Sequence, residues 1–367
     1  MNKFSLNLNR FLLKLFFAVK ENNNRMLNPP KKILIVRQHN QFGDLLATVP
    51  LFRAIKETYP DSETTIIVSP QNYYAVTKNE YLDRVFIFDK KKLFKPAYFS
   101  EMLNLLREHY DAVIVPVTVA ISFTSNFIAR LAKAETRIGA KSLNGKENKF
   151  HFFFDRKVIM DWRIFPDEHV SEFGLGILKP FGIITKNNKS AVFFDEEEIN
   201  AVRKFIEEKI QKKDEILIGL HVGAGKKKNR WSLNKYIELM DQLNVEYPVK
   251  FYLTGSTGDK PEINYVKNKS GLEVPVFMNK TIPELAAIIS ESDLFITNDT
   301  GVMHVAGTTE TPQISIFGPT NPYNWAPLGK NKYFIRRGEL IDDVSVNDVL
   351  EHCKLIFDQR KEKNVKA

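Results

Sequence analysis

The sequence predicts an α/β protein built from two doubly wound parallel-sheet halves. Three observations carry this. Short, β-prone apolar runs alternate with helix-period segments, and the alternation occurs twice, on either side of a polar stretch near residues 180–214. The chain has 367 residues of which 43% are hydrophobic, enough to bury large cores, and its length suits about two domains.

The elements follow in order. Residues 1–32 hold the apolar run Phe11–Val19, which is interrupted by Lys14 and too short to span a bilayer. No small-residue cleavage site follows it, and Asn22-Asn23-Asn24 leads to Pro29-Pro30 as a linker would. Two readings stand side by side: a basic amphipathic helix resting on an anionic inner leaflet, or a helix whose apolar face packs on the protein. Residues 33–180 form the first half, with strands at KILIVRQ, TTIIVS, RVFIFD and DAVIVPV and a helix from about Leu45 to Thr58. Residues 181–214 form the join, with a Lys/Asn-rich turn, a short strand at AVFF and a charged helix. Residues 215–345 repeat the pattern with EILIGLHVG, VKFYLTG, DLFITND and QISIFGP, and with helices near Leu233–Asn244 and Ile282–Ser290. Residues 346–367 supply a last helix, Val346–Asp358, and a basic tail.

Charge and cysteine content exclude several classes. The formal charge is +9, but residues 1–32 hold seven Lys and Arg against one Glu and residues 354–367 hold five against two, so the body is neutral and lacks the net positive charge of a typical DNA-binding domain. Cys353 is the single cysteine, which rules out an intrachain disulfide and a cysteine metal cluster and fits a reducing cytoplasm. The histidines are scattered and no Asp-x-Asp pair stands near the candidate nucleotide site, so no metal or other cofactor is expected.

Three turns carry candidate chemistry. After DLFIT, the run Asn298-Asp299-Thr300-Gly301 precedes a helix starting near Val302, and the free amides and positive dipole of such a turn seat a phosphate, with Thr300 and His304 adding donors. The alternative is an ordinary N-cap in which Asp299 or Thr300 satisfies those amides. After GLHV, Gly223-Ala224-Gly225 lets backbone amides approach a diphosphate, and Lys226 to Arg230 can neutralise charge there, with Lys228 and Arg230 preferred. The alternative is a solvated lysine loop. After KILIVRQ, Gly43-Asp44 precedes an apolar helix without the Gly-x-Gly-x-x-Gly spacing, and Asp44 would repel a pyrophosphate. It suits base chemistry, with an N-cap for a helix from Leu45 as the alternative. Asp259 or Glu262 could accept bonds from ribose hydroxyls.

The block Asp299-Thr300-Gly301-Val302-Met303-His304-Val305-Ala306, followed by Phe317-Gly318-Pro319-Thr320, resembles the heptosyltransferases of glycosyltransferase family nine. The opening strand with its Gly-Asp turn, and the segment GLHVGAGKKKNRWSLNKYIELM, are similar to two further blocks of that family. The resemblance implies the GT-B fold, two Rossmann-like doubly wound domains facing a central cleft. It also implies acceptor binding in the first half, with weak acceptor-side matches at Arg137 and His169, and nucleotide-sugar binding in the second. Asp44 stands where the family has its catalytic aspartate, Gly223, Asp299, Thr300, Gly301 and His304 fall on the donor side, and Lys228 and Arg230 are the candidate cations there, one place to either side of the family's usual position. The chain departs from the pattern at Asn229, where many members carry a lysine two residues before the tryptophan.

The implied activity is inverting, metal-independent transfer of a sugar, heptose from ADP-heptose, to a lipopolysaccharide-type glycolipid. The site would be the cytoplasm or the inner face of the cytoplasmic membrane. Two alternatives stand: a sugar-nucleotide epimerase of the same fold, and a non-catalytic nucleotide-sugar-binding protein at a membrane surface.

Overall fold

The computed structural model describes residues 3–38 and 41–366, with side chains described for 10–38 and 41–359. The chain divides into two compact units, Met1–Ser190 and Ala191–Ala367, a division that falls inside the segment 181–214.

The first unit holds strands β1 Lys32–Arg37, β2 Glu63–Val68, β3 Arg84–Ile87, β4 Tyr110–Ile114, β5 Ala134–Leu143, β6 Lys146–Glu147 and β7 Arg156–Met160. Their order is β3-β2-β1-β4-β5, with β7 parallel and the short β6 antiparallel against β5. Ile35 pairs with Ile66 on one side and Ile114 on the other. Burial on both faces explains why these central strands read as unbroken apolar runs.

The second unit holds β8 Ile216–His221, β9 Val249–Gly255, β10 Val276–Met278, β11 Leu294–Asn298, β12 Gln313–Ile316 and β13 Lys332–Ile335. All six are parallel in the order β10-β9-β8-β11-β12-β13. In each unit the chain starts at a central strand, winds outward, then returns to continue on the other side. The switch points lie between β1 and β4 and between β8 and β11, where open α/β sheets bind ligands beyond the carboxyl ends of their strands. The helix Val346–Lys366 packs Val349, Leu350, Cys353, Ile356 and Phe357 into the second core, and the Cys353 thiol is buried and pushed well above its usual range by that burial.

Three local expectations need correction. The helix expected over 45–58 is two helices, Phe42–Leu46 and Val49–Thr58. Pro50 cannot donate to the carbonyl four residues back, so the chain breaks before it and restarts with proline in the first turn. Residues 191–194, AVFF, form no strand; Asp195 closes a capping box with Glu198 immediately afterwards and starts the helix Glu196–Phe205. That helix then widens into a π-helical turn, Ile206–Ile210, ending at left-handed Gln211.

The first helix, Lys3–Phe17, belongs to the first unit. The Arg130 guanidinium donates to the Phe17 carbonyl at 2.6 Å, the Val19 amide to the Phe152 carbonyl at 3.0 Å, and the Phe17 ring meets those of Phe127 and Phe153 edge-on. Among the described residues no helix is long and apolar enough to cross a membrane.

Candidate active site

Strand β11 ends in Asn298, whose fully buried side chain organises the second unit's switch point. Its Nδ2 donates to the carbonyls of Val222 and Gly223 at 3.2 and 3.0 Å, and its Oδ1 accepts from the Trp231 amide and the Tyr236 hydroxyl, both at 3.1 Å. All four hydrogen-bonding positions of the amide are filled. One side chain thus fixes the turn after β8 to the end of β11.

The turn after β11 follows directly. Thr300 is the N-cap of the helix Gly301–Ala306, with extended φ and ψ of −152° and 170°, yet its side chain makes no cap bond. The helix begins one residue earlier than expected. The Asp299 side chain is engaged instead by Asn229 Nδ2 at 2.8 Å and by the Thr320 hydroxyl, which joins the Phe317-Gly318-Pro319-Thr320 segment to the turn. The Thr300 side chain therefore does not cap the helix, and the Asp299 carboxylate is engaged from other segments, at a helix start of the kind that seats an anion. Burial raises the Asp299 carboxyl above its ordinary value, while the Thr320 bond and the charges of Lys226 and Lys228 pull it down. Gly301 and His304 are half-buried, and the His304 ring lies edge-on to Trp325 with centroids 6.2 Å apart.

The turn after β8 shows why glycine stands at 223: a Cβ there would overlap the Asp259 carboxylate. Asp259 is committed to the Ser256 amide and hydroxyl, each at 2.8 Å. Arg230 is paired with Glu262 and donates to the Ala224 carbonyl at 3.1 Å, so it shapes the Gly223–Gly225 turn and occupies one of the two acids read as ribose acceptors. Lys228 is exposed within the 3₁₀ turn Lys227–Asn229. Asn229, by contrast, is buried.

In the first unit Asp44 lies in the first turn of the helix Phe42–Leu46, whose N-cap is Gln41, so the cap reading of Asp44 does not hold. It is 3% exposed. Arg37, the last residue of β1, lies 3.7 Å from Asp44 Oδ2 and donates to Thr118 Oγ1 at 2.8 Å; that hydroxyl is 3.4 Å from the same carboxylate oxygen. A buried carboxylate beside a buried guanidinium can hold a negative charge away from bulk water, which a base that works on a hydroxyl requires.

Arg137 and His169 are placed elsewhere. The Arg137 guanidinium donates to the carbonyls of Ala129, Ala132 and Ala134, at 3.2, 2.6 and 3.0 Å, and so ties the helix Phe123–Leu131 to β5 rather than lining an acceptor surface. His169 caps the helix Val170–Leu175, accepting from the Ser171 amide at 3.3 Å. Among the described residues one group has metal-ligand spacing, His109, Asp111 and Glu135. It lies at the amino ends of β4 and β5, opposite the edge that carries Asp44, and Asp111 Oδ2 already accepts from the amides of Lys31 and Lys32.

Sequence reasoning missed Asn298, Asn229 and His221. The His221 ring is buried against Thr254, 3.1 Å from both its carbonyl and its hydroxyl. The readable signal was position: His221 ends β8, Asn298 ends β11, and Asn229 lies in the loop that follows β8.

Two doubly wound domains with an uncapped strand-to-helix turn at the second switch point and a buried carboxylate at the first define a GT-B glycosyltransferase. The model of glycosyltransferase family 9 (heptosyltransferase) matches residues 100–352, and the chain belongs to that family. The chain is 23% identical over 299 residues to lipopolysaccharide heptosyltransferase 3 of Escherichia coli, an alignment covering 79% of this chain and 84% of that one. Its fold matches a family 9 glycosyltransferase from Veillonella parvula with a TM-score of 0.78 at 18% identity, over 92% of this chain and all of the other. It matches the E. coli heptosyltransferase WaaC with ADP at 0.69 and 18% identity, over 89% and 99%.

Proposed function

We propose that the protein transfers heptose from ADP-heptose to a lipopolysaccharide-type glycolipid, with inversion and without a divalent ion, in the cytoplasm at the inner face of the membrane. The observation that carries this reading is the turn Asn298–Gly301, braced from below by Asn298 and left uncapped by Thr300. Asp44 takes the proton of the acceptor hydroxyl as its oxygen bonds to the anomeric carbon, and the bond from that carbon to the diphosphate oxygen breaks. Charge gathering on the departing diphosphate is met by helix amides at Gly301, by Thr300 and His304, and by Lys228 with its neighbour Lys226. Arg230 and Gly223 support that seat through the shape of their turn, and Asp299 positions it. The relatives named above, one of them solved with ADP, support the choice of donor.

The test is thermal stabilisation of the purified protein by ADP, UDP, GDP and CDP in chelator. A ligand at about a hundred times its dissociation constant adds about 2.7 kcal/mol to native stability. ADP alone should raise the melting temperature. A preference for UDP, or a requirement for added divalent ion, would overturn the corresponding part of the reading.

A further inference from the structure

The described side chains of the helix Lys3–Phe17, from Arg10 onward, separate into two faces. At 100° per residue, Arg10, Leu13 and Phe17 share one face, and that face meets the protein. Arg10 Nε donates to the Lys149 carbonyl at 3.0 Å, and Phe17 packs on Phe127 and Phe153. The opposite face consists of Phe11, Leu12, Leu15 and Phe16, which are 62%, 42%, 66% and 71% exposed. Packing on the protein therefore accounts for one side of the helix, while on the other side these four apolar side chains are largely exposed among the described residues. A contiguous apolar patch of this kind marks an interaction surface.

Aromatic packing extends from the inner face of the helix toward the first unit's site. Phe123, itself partly exposed, stacks on Phe127 at 5.6 Å, and Phe127 meets Phe17 at 5.7 Å. Phe123 opens the helix Phe123–Leu131, whose Ser125 hydroxyl accepts from the Gln38 amide at 3.1 Å, one residue beyond β1 and beside the Arg37–Asp44 pair. Through Phe127 and Phe123 the helix's packed face thus reaches the helix whose start lies beside the Arg37–Asp44 pair.

Charge identifies the occupant. Lys14 and Lys20 are exposed on the helix and just after it, and Lys146 and Lys149 on the segment it packs against, while the neighbouring acids are already paired, Glu147 with Arg10 and Glu21 with Lys157. We infer that Phe11, Leu12, Leu15 and Phe16 form a monolayer-docking face that seats in an anionic phospholipid bilayer with the helix lying in its plane. Resting on the glycolipid-acceptor reading, this gives that acceptor a route: it stays in the leaflet while its sugar end reaches the sheet edge that carries Asp44. A fifteen-residue helix interrupted by Lys14 cannot span, and aromatic and leucine residues flanked by lysines are the composition that holds a helix at the headgroup boundary.

The experiment is co-sedimentation with phosphatidylcholine vesicles and with vesicles of phosphatidylcholine mixed with phosphatidylglycerol. The parent should bind the anionic vesicles and release in high salt. The Leu15→Glu/Phe16→Glu double variant should bind about ten-fold or more weakly, with an unchanged melting temperature and an unchanged ADP-induced shift. Equal binding by parent and variant, or no parent binding to either vesicle, overturns the inference. So does a parent dimer that the double substitution dissociates while vesicle binding is absent, since the face would then belong to a second copy. Loss of the ADP shift in the parent would instead strike the transferase reading and leave the vesicle result standing.

Discussion

Asn229 Nδ2 donates to Asp299 Oδ2 at 2.8 Å and to the Asp299 carbonyl at 3.3 Å, binding the loop after β8 to the turn after β11 with a neutral side chain. The family often carries a cation at this place. Here the amide holds the carboxylate still, while the charges of Lys226 and Lys228 act on it. Asn229→Ala removes the clamp and leaves a half-buried carboxyl short of one donor. We expect a loss of about 1–3 kcal/mol in stability and a weakening of ADP binding of about ten-fold or more, read by denaturant unfolding and calorimetry. Unchanged ADP affinity would mean that the clamp has no bearing on the donor.

Asp44→Asn keeps the size of the side chain and its place beside Thr118 and Arg37, but an amide takes up no proton. Transfer should fall by about 10²–10⁴-fold. ADP affinity should stay within about two-fold of the parent, because the residues proposed to hold the donor belong to the other unit. Near-normal turnover by the variant would remove Asp44 from the chemistry.

Gly223→Ala tests a close approach. The added methyl meets the Asp259 carboxylate, which is held by two bonds to Ser256 and cannot swing aside without breaking them. Overpacking of this kind costs about 1–3 kcal/mol, and the displaced turn should weaken ADP binding more than it lowers turnover at saturating donor. A melting temperature and donor KM equal to the parent's would show that the turn has room.

These residues also show what a sequence can disclose. The strand, Asp-Thr-Gly turn and helix around Asp299 were legible because apolar runs, turn residues and helix starts are local signals, and the two windings followed from their alternation. β5 was not, because AETRIGAKSL lacks an apolar run and becomes a strand by lying between β4 and β7. Arg137 and Arg230 looked like available cations. Which carbonyls and which acid would engage them depends on pairings such as Arg230 with Glu262, thirty-two residues apart in sequence and fixed by the tertiary fold. The bracing role of Asn298 was hidden for the same reason, although its place at the turn was readable: its four partners are the carbonyls of Val222 and Gly223, the Trp231 amide and the Tyr236 hydroxyl.

His221 supplies a pH dependence whose sign is fixed by burial. Desolvation pushes the imidazole below its ordinary value of 6.5, against the opposing charge of Asp259 and the bond to Thr254. The native ring therefore stays neutral at pH values where the unfolded chain takes up a proton. Its contribution to stability is present above the ordinary value and is lost as pH falls from there toward the native value, at up to about 1.4 kcal/mol per pH unit. His221→Gln should be less stable than the parent at about pH 8, because Gln fills the site less well, yet the gap should narrow as pH falls from about 6.5 to about 5. The measurement is the unfolding free energy of both proteins across that range, compared as a difference so that other titrating groups cancel. A constant difference would mean that the His221 ring is protonated equally in the native and unfolded chains, and that its seat beside Thr254 leaves the charged form as well solvated as water does.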